Sequence, residues 1–174
     1  MLRGKNVLLS VTGSIAAYKS AFLVRELIKK GANVKVIVTE SALQFVTTVT
    51  LSTLSKNPVY KDFIKNDDTG EWNNHVDLGA WADLLLIAPA TAHTISNLVT
   101  GKADSFFLAT FLSCTAPIFI APAMDLDMFK NKSTQDNLKK LKERGIEIID
   151  PDDGQLASGL EGKGRLREPE EIVE

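Results

Sequence analysis

Along the chain, unbroken apolar runs alternate with segments whose apolar positions recur every three or four residues. The runs at residues 7–11, 34–38, 84–88, 118–121 and 146–149 lack the in/out alternation of a strand with one wet face. Each therefore predicts a parallel strand buried on both faces. Between the first two runs, Ala17, Ala21, Val24 and Ile28 stand at helical spacing, and Gly31 sits where that helix would end. Ser133 is placed to cap a later helix whose Leu138 and Leu141 face inward and which Gly145 closes. This alternation predicts an α/β fold: a doubly wound, Rossmann-like (flavodoxin-like) parallel sheet with helices on both faces. Sheets of this kind bind ligands beyond the carboxyl ends of their strands.

Composition narrows the picture. With 174 residues, 44% of them hydrophobic, the chain suits one core, so residues 1–174 are expected to form a single domain. The net charge of -2 is spread over interspersed acids and bases, which gives no electrostatic footprint for nucleic acid or an anionic membrane. Lys29-Lys30 and the basic run at residues 139–144 read as solvated helix faces. One cysteine, Cys114, rules out an internal disulfide, and the first apolar run is too short for a signal-peptide core or a membrane span. A cytoplasmic protein is the expectation. Two histidines and one cysteine show no metal-ligand spacing, and no Gly-x-Ser-x-Gly elbow points to a serine hydrolase.

Candidate chemistry lies mostly at strand ends. Gly13 and Ser14, leading from a strand into a helix, offer backbone N–H groups and a hydroxyl at a helix N-terminus, which suits a phosphate; standing alone, the segment reads slightly better as a plain strand-to-helix turn. With one glycine instead of three, the turn favours a mononucleotide over NAD, although Glu40 could imitate a ribose-binding acid. Thr39 and Ser41 bring further hydroxyls after the second strand. After the third, Pro89-Ala90-Thr91-Ala92-His93-Thr94 is small and hydroxylated, and Thr91 could simply cap a helix. His75 follows a polar, turn-rich stretch and precedes the Val76, Leu78 and Trp81 of a short helix; its imidazole suits a general base or a structural role. Residues 153–169 hold Gly154, Gly159, Gly162 and Gly164 and predict a loop, with Lys163, Arg165 and Arg167 able to contact an anion. Leu156, Leu160 and Leu166 favour a lid over a linker.

Taken together, these segments resemble the homo-oligomeric flavin-containing cysteine decarboxylases, and among them the phosphopantothenoylcysteine decarboxylases of coenzyme A biosynthesis. The resemblance spans nearly the whole chain. It rests on Gly13-Ser14-Ile15-Ala16-Ala17-Tyr18, on His75-Val76-Asp77-Leu78 with Trp81-Ala82-Asp83, on the hexapeptide from Pro89 to Thr94, on the octapeptide Pro122-Ala123-Met124-Asp125-Leu126-Asp127-Met128-Phe129, and on Gly159-x-x-Gly162-x-Gly164-Arg165.

The resemblance implies FMN held by Gly13, Ser14, Ile15, Thr39, Ser41, Pro89, Ala90, Thr91 and Thr94. It makes His75, Asp125 and Ser158 the catalytic group and places Asp125, Met128, Lys163 and Arg165 at the substrate, with no metal. The implied reaction oxidises the substrate's thiol arm to a thioaldehyde, releases carbon dioxide to leave an ene-thiol, and reduces that to phosphopantetheine. It also implies a homotrimer or trimer-based dodecamer with the active site between subunits, and a ligase domain following in a longer gene product. Three positions depart from the family pattern: His93 and Asp125 stand for asparagines, and Ser158 replaces the lid cysteine that serves as proton donor. Two other outcomes are an oxidative decarboxylase of peptidyl C-terminal cysteine that releases an ene-thiol, and a catalytically silent flavin-binding regulator.

Overall fold

The computed structural model describes residues 2–174. All five apolar runs form parallel strands: β1 (Asn6–Val11), β2 (Asn33–Val38), β6 (Leu84–Ala90), β7 (Ile118–Pro122) and β8 (Glu147–Ile148). A two-residue strand without a readable pattern, β3 (Val59–Tyr60), extends the sheet to the order β3-β2-β1-β6-β7-β8. Successive residues of β1 enter opposite cores. Val7, Leu9 and Val11 pack with Leu23, Val24 and Leu27, whereas Leu8 packs with Ile95, Leu98 and Phe106. With both faces buried, no polar alternation is left for the sequence to show.

Helices α1 (Ser20–Lys29), α2 (Thr48–Ser55) and the short C-terminal α8 (Pro169–Ile172) cover the first face. The other face carries α3 (His75–Trp81), α4 (Ala92–Thr100), α5 (Phe106–Ser113) and α7 (Lys132–Glu143). A single turn, α6 (Leu126–Lys130), follows β7.

Several local expectations need correction. The chain enters α1 through a 3-10 turn, Ile15–Lys19, which shifts the buried stripe to Leu23, Val24 and Leu27; Ile28 is exposed. Asn131, not Ser133, caps α7, its side chain accepting from the Ser133 amide. Leu138 and Leu141 are buried as expected, and Gly145 closes the helix at φ +83°. The polar stretch before His75 contains a hairpin, β4 (Ile64–Asn66) with β5 (Glu71–Trp72). Residues 153–169 are no loop either: β9 (Asp152–Gln155) and β10 (Glu161–Arg165) form a second antiparallel hairpin with its turn at residues 156–160.

β1 leads outward to β2 and β3, and the chain then crosses back to β6 on the other side of β1. The crevice between the β1 and β6 ends is the switch point at which such sheets bind ligands.

Candidate active site

At the switch point the strand ends are stitched together by Thr12. Its hydroxyl donates to the Pro89 carbonyl at 2.7 Å and accepts from the Thr91 amide at 3.2 Å. Ahead of this stitch lies a cavity of about 850 Å³. Four helical N-termini open onto it, each capped by a hydroxyl: Ser14 on the first 3-10 turn, Thr39 on the 3-10 turn Glu40–Gln44, Thr91 on α4 and Ser105 on α5. Positive dipole ends and hydroxyls together suit an anionic ligand. Gly13 is required here, because a Cβ at that position would run into the Ser41 side chain. Ser41 Oγ in turn lies 3.2 Å from Thr39 Oγ1. Glu40, also on the wall, pairs with Lys61 at 3.1 Å. His93 lies on the same wall, its Nε2 3.0 Å from Asn97 Nδ2.

A second cavity of about 510 Å³ adjoins the first and shares Ser14, Ala123 and Met124 with it. Ile15, Tyr18 and Lys19 line one side and the β9–β10 hairpin the other, through Leu156, Ala157 and Arg165. Asp125 faces this space while its Oδ1 accepts from the Leu126 amide at 2.7 Å, capping α6. The hairpin lies flat on the turn after β7. The Gly164 carbonyl accepts from the Met124 amide at 3.0 Å, and a Cβ at Gly164 would overlap the Met124 carbonyl oxygen. One at Gly162 would stand 2.8 Å from Leu126 Cδ1.

The structure thus brings Gly13, Ser14, Thr39, Ser41, Thr91 and Thr94 to one cavity, and Asp125, Arg165 and Ile15 to its neighbour. Met128, expected at the substrate, lines the first cavity instead. Pro89 and Ala90 line neither; buried behind the wall, their carbonyls accept from Thr12 and Ala123. The three cations of residues 163–167 are not free. Lys163 lies 3.6 Å from Asp150, Arg165 donates to Glu168 at 2.6 Å, and Arg167 donates to Asp152 at 3.3 Å. Ser158 sits exposed in the hairpin turn, where its Oγ accepts from the Leu160 amide.

His75 stands apart from both cavities. It is the first residue of α3, and its ring meets Phe63 edge-on at 5.7 Å and Trp72 at 6.5 Å. Its Nδ1 is buried and has no hydrogen-bond partner. Cys114, at the end of α5, packs against the second core, and burial pushes its thiol pKa up. Among the described residues no cluster of metal-ligating side chains occurs, and no helix is long and apolar enough to cross a membrane.

The flavoprotein family model matches residues 1–174. The chain belongs to the flavoprotein family. Its curated relatives include the coenzyme A biosynthesis bifunctional protein CoaBC of Bacillus subtilis, 46% identical over 173 residues, which are 99% of this flavoprotein but 42% of that protein. A probable phosphopantothenoylcysteine decarboxylase of Streptococcus mutans is 44% identical over 98% of this chain and 96% of its own. A cysteine/cysteine sulfinic acid decarboxylase of an unknown prokaryotic organism is 58% identical over 128 residues, 74% of this chain and 35% of that protein. The flavoprotein therefore spans less than half of the first of these relatives. Among solved structures, a cysteine-to-serine mutant of PPC decarboxylase complexed with pantothenoylaminoethenethiol matches with TM-score 0.84 and 34% identity, covering 98% of this chain and 94% of its own. The FMN binding protein AtHal3 matches with TM-score 0.81 and 34% identity, covering 98% and 93%.

Sequence reasoning missed Tyr18 and Lys19 on the second cavity and Ser105 on the first. Ser105, two residues after Gly101-Lys102-Ala103 and just before an apolar run, carried a readable cap signal. Lys19 carried none, since a lysine one residue past an alanine-rich turn ordinarily points to water.

Proposed function

We propose that this flavoprotein is an FMN-dependent carboxy-lyase that decarboxylates phosphopantothenoylcysteine to phosphopantetheine in coenzyme A biosynthesis, in the cytoplasm. The observation that carries the reading is the near end-to-end similarity to the Streptococcus mutans protein, combined with two adjoining cavities at the switch point. FMN fits the first. Its volume is of the usual ligand-site size of roughly 300–1,000 Å³, and the hydroxyl-capped turns at Ser14, Thr39 and Thr91 suit a phosphate and its ribityl chain.

FMN, when bound, supplies the two-electron chemistry that turns the thiol arm into an electron sink for the departing carboxylate. The protein's own part is positioning and proton handling. Ser14, Ser41 and Thr91 hold the cofactor by its polar tail. Asp125, on the wall of the neighbouring cavity, orients the substrate's carboxylate, and the hairpin excludes water from above. His75 takes a proton at its imidazole. Since it lines neither cavity of its own chain, the reading includes a homotrimer, alone or built into a dodecamer, in which His75 serves a neighbouring subunit's site. The exposed Ile64, Trp72 and Val76 around it support such a contact. A ligase domain in a longer gene product belongs to the same reading, supported by the bifunctional relative.

The test is direct. Protein denatured after purification should release FMN, and anaerobic incubation with phosphopantothenoylcysteine should give saturated phosphopantetheine by mass spectrometry. Release of FAD, or no binding of any flavin, overturns the assignment. One observation favours a second reading, in which the reaction stops at the ene-thiol. The hairpin turn carries Ser158, and the matching cysteine-to-serine mutant was captured with pantothenoylaminoethenethiol. A product two mass units lighter would select it.

A further inference from the structure

A third cavity, of about 710 Å³, shares no residue with the other two. It lies at the β4–β5 hairpin, between the β2–β3 edge of the sheet and α3. Its inner wall is Lys35 on β2, Tyr60 on β3 and Leu78 and Trp81 on α3, all buried or half-buried; Asp62, Lys65, Glu71 and Trp72 form an exposed rim.

The other charges on this wall already have partners. Lys61 pairs with Glu40 and with Asp62, each at 3.1 Å, and Lys65 pairs with Glu71. Asp77 accepts from the Asn74 side chain at 2.7 Å. Lys35 is the exception. Its Nζ stands 4.3 Å from the centre of the Trp81 ring, and burial, with no carboxylate to offset it, lowers its pKa. The ring face attracts the ammonium but offers its N–H groups no oxygen. What this wall lacks is one acceptor of negative charge, placed at Lys35.

The charge total limits what could supply it. Lys35, Lys61 and Lys65 are matched by Asp62, Glu71 and Asp77, so the cavity has no excess of positive charge to hold a polyphosphate, a nucleic acid or an anionic membrane. A phosphate monoester, at about -1.5 to -2, already overshoots. A carboxylate does not. Flat apolar surface is present beside Lys35. Tyr60 is fixed by stacking on Phe106 at 6.0 Å, and Trp72 is 54% exposed, with an edge contact to His75 at 6.5 Å. Because Lys35 sits inside an exposed rim, a small molecule reaches it more readily than the flat surface of another chain.

We infer that this third cavity is a binding site for a small aromatic carboxylate, its acid group paired with Lys35 and its ring against Tyr60 and Trp72. A ring lodged there bridges the sheet edge and the hairpin, so occupancy stiffens the segment that presents His75. The site does not depend on the decarboxylase reading.

Trp72 and Trp81 are the chain's two tryptophans, so their emission reports this cavity. The experiment titrates the flavin-loaded full chain with benzoate, benzamide and acetate, following that emission, and repeats it on Lys35→Met, Lys35→Arg and Trp72→Leu. Benzoate should saturate in the millimolar range, as a fragment of its size allows, and benzamide and acetate should bind about tenfold more weakly or not at all. Lys35→Met should lose about tenfold in benzoate affinity and Lys35→Arg should keep it. Trp72→Leu, at an exposed position, should lose about fivefold with Trp81 still reporting. Hydrogen exchange of residues 64–72 should slow about threefold with benzoate and stay unchanged with benzamide. If Lys35→Met does not fold, the benzoate-to-benzamide ratio of the wild type and the Trp72→Leu loss decide. Equal affinity for benzoate and benzamide, or a Lys35→Met variant that binds benzoate as tightly as the wild type, overturns the site. So does benzoate affinity that falls as chains assemble with rising protein concentration, because a second copy then fills the cavity.

Discussion

The β9–β10 hairpin is seated by backbone. Gly164 lies against the Met124 carbonyl while its own carbonyl accepts from the Met124 amide; beside this seat Gly162 rests on the Leu126 side chain, and the Lys19 side chain ties the exit leg. The β4–β5 hairpin is seated by aromatic edges. Phe63, just before it, meets Phe106 at 5.6 Å and His75 at 5.7 Å, and Trp72 at its end reaches His75. Backbone seating tolerates almost no change in volume, because a carbonyl oxygen cannot turn aside as a side chain can. Aromatic seating is softer, with each pair adding only about 0.5–1.5 kcal/mol beyond its buried area. The contrast fits what each hairpin carries. The first roofs a cavity, whereas the second presents one imidazole.

The largest effect should come from the imidazole itself. His75→Asn is expected to keep the fold and the bound flavin and to lower decarboxylation by roughly 100- to 10,000-fold, the usual cost of losing a general base. Steady-state turnover, measured beside flavin absorbance, checks this; unchanged turnover would make His75 only part of the aromatic seat. Gly164→Ala comes next. The overlap with the Met124 carbonyl should cost on the order of 3 kcal/mol in denaturant unfolding or detach the hairpin, read as rapid exchange of residues 152–165.

Phe63→Ala probes the softer seat. A loss of about 2–3 kcal/mol is expected, since the ring is only partly buried, together with exchange confined to residues 60–76. If Gly164→Ala proves milder than Phe63→Ala, the contrast between the two hairpins fails. Asp125→Asn, which restores the residue of the resembled family, should leave turnover within severalfold, measured as kcat/KM across pH. An enzyme inactive at every pH would show that the carboxylate itself is needed.

The smallest effect concerns acid. Glu168 has its pKa lowered in the folded protein, chiefly by the Lys19 ammonium that donates to it at 2.9 Å, so the pairing stabilises fully above the unfolded glutamate pKa and is lost as pH falls through the lower folded value. Hairpin exchange should therefore rise only below the ordinary glutamate range of about 4.3, and the rise should be absent in Glu168→Gln. The carboxylate is half exposed, so the expected contribution stays under about 1 kcal/mol.

Much of the site was legible because it is local. A strand buried on both faces must be apolar throughout, so five of the six sheet strands announced themselves, and the hydroxyls at Ser14, Thr39 and Thr91 sit at the strand ends those runs define. The glycine spacing of residues 154–164 was visible but misread as a loop. Glycine is the mark of a flexible turn and equally of a strand pressed against another backbone, and only the neighbour at Met124 tells the two apart.

The sequence by itself determined the α/β architecture, the switch-point location of the hydroxyl-rich cavity and the membership in a flavin-binding family, since each rests on contacts between residues near one another in the chain. Tertiary structure alone decided that Ser133 yields its cap to Asn131, that His75 lies outside both cavities, and that Lys19 is buried. Lys19 and Glu168 are separated by 149 positions, and no local pattern records which distant carboxylate will meet an ammonium. Burial of a charge is settled by its partner, and the partner is settled by the fold.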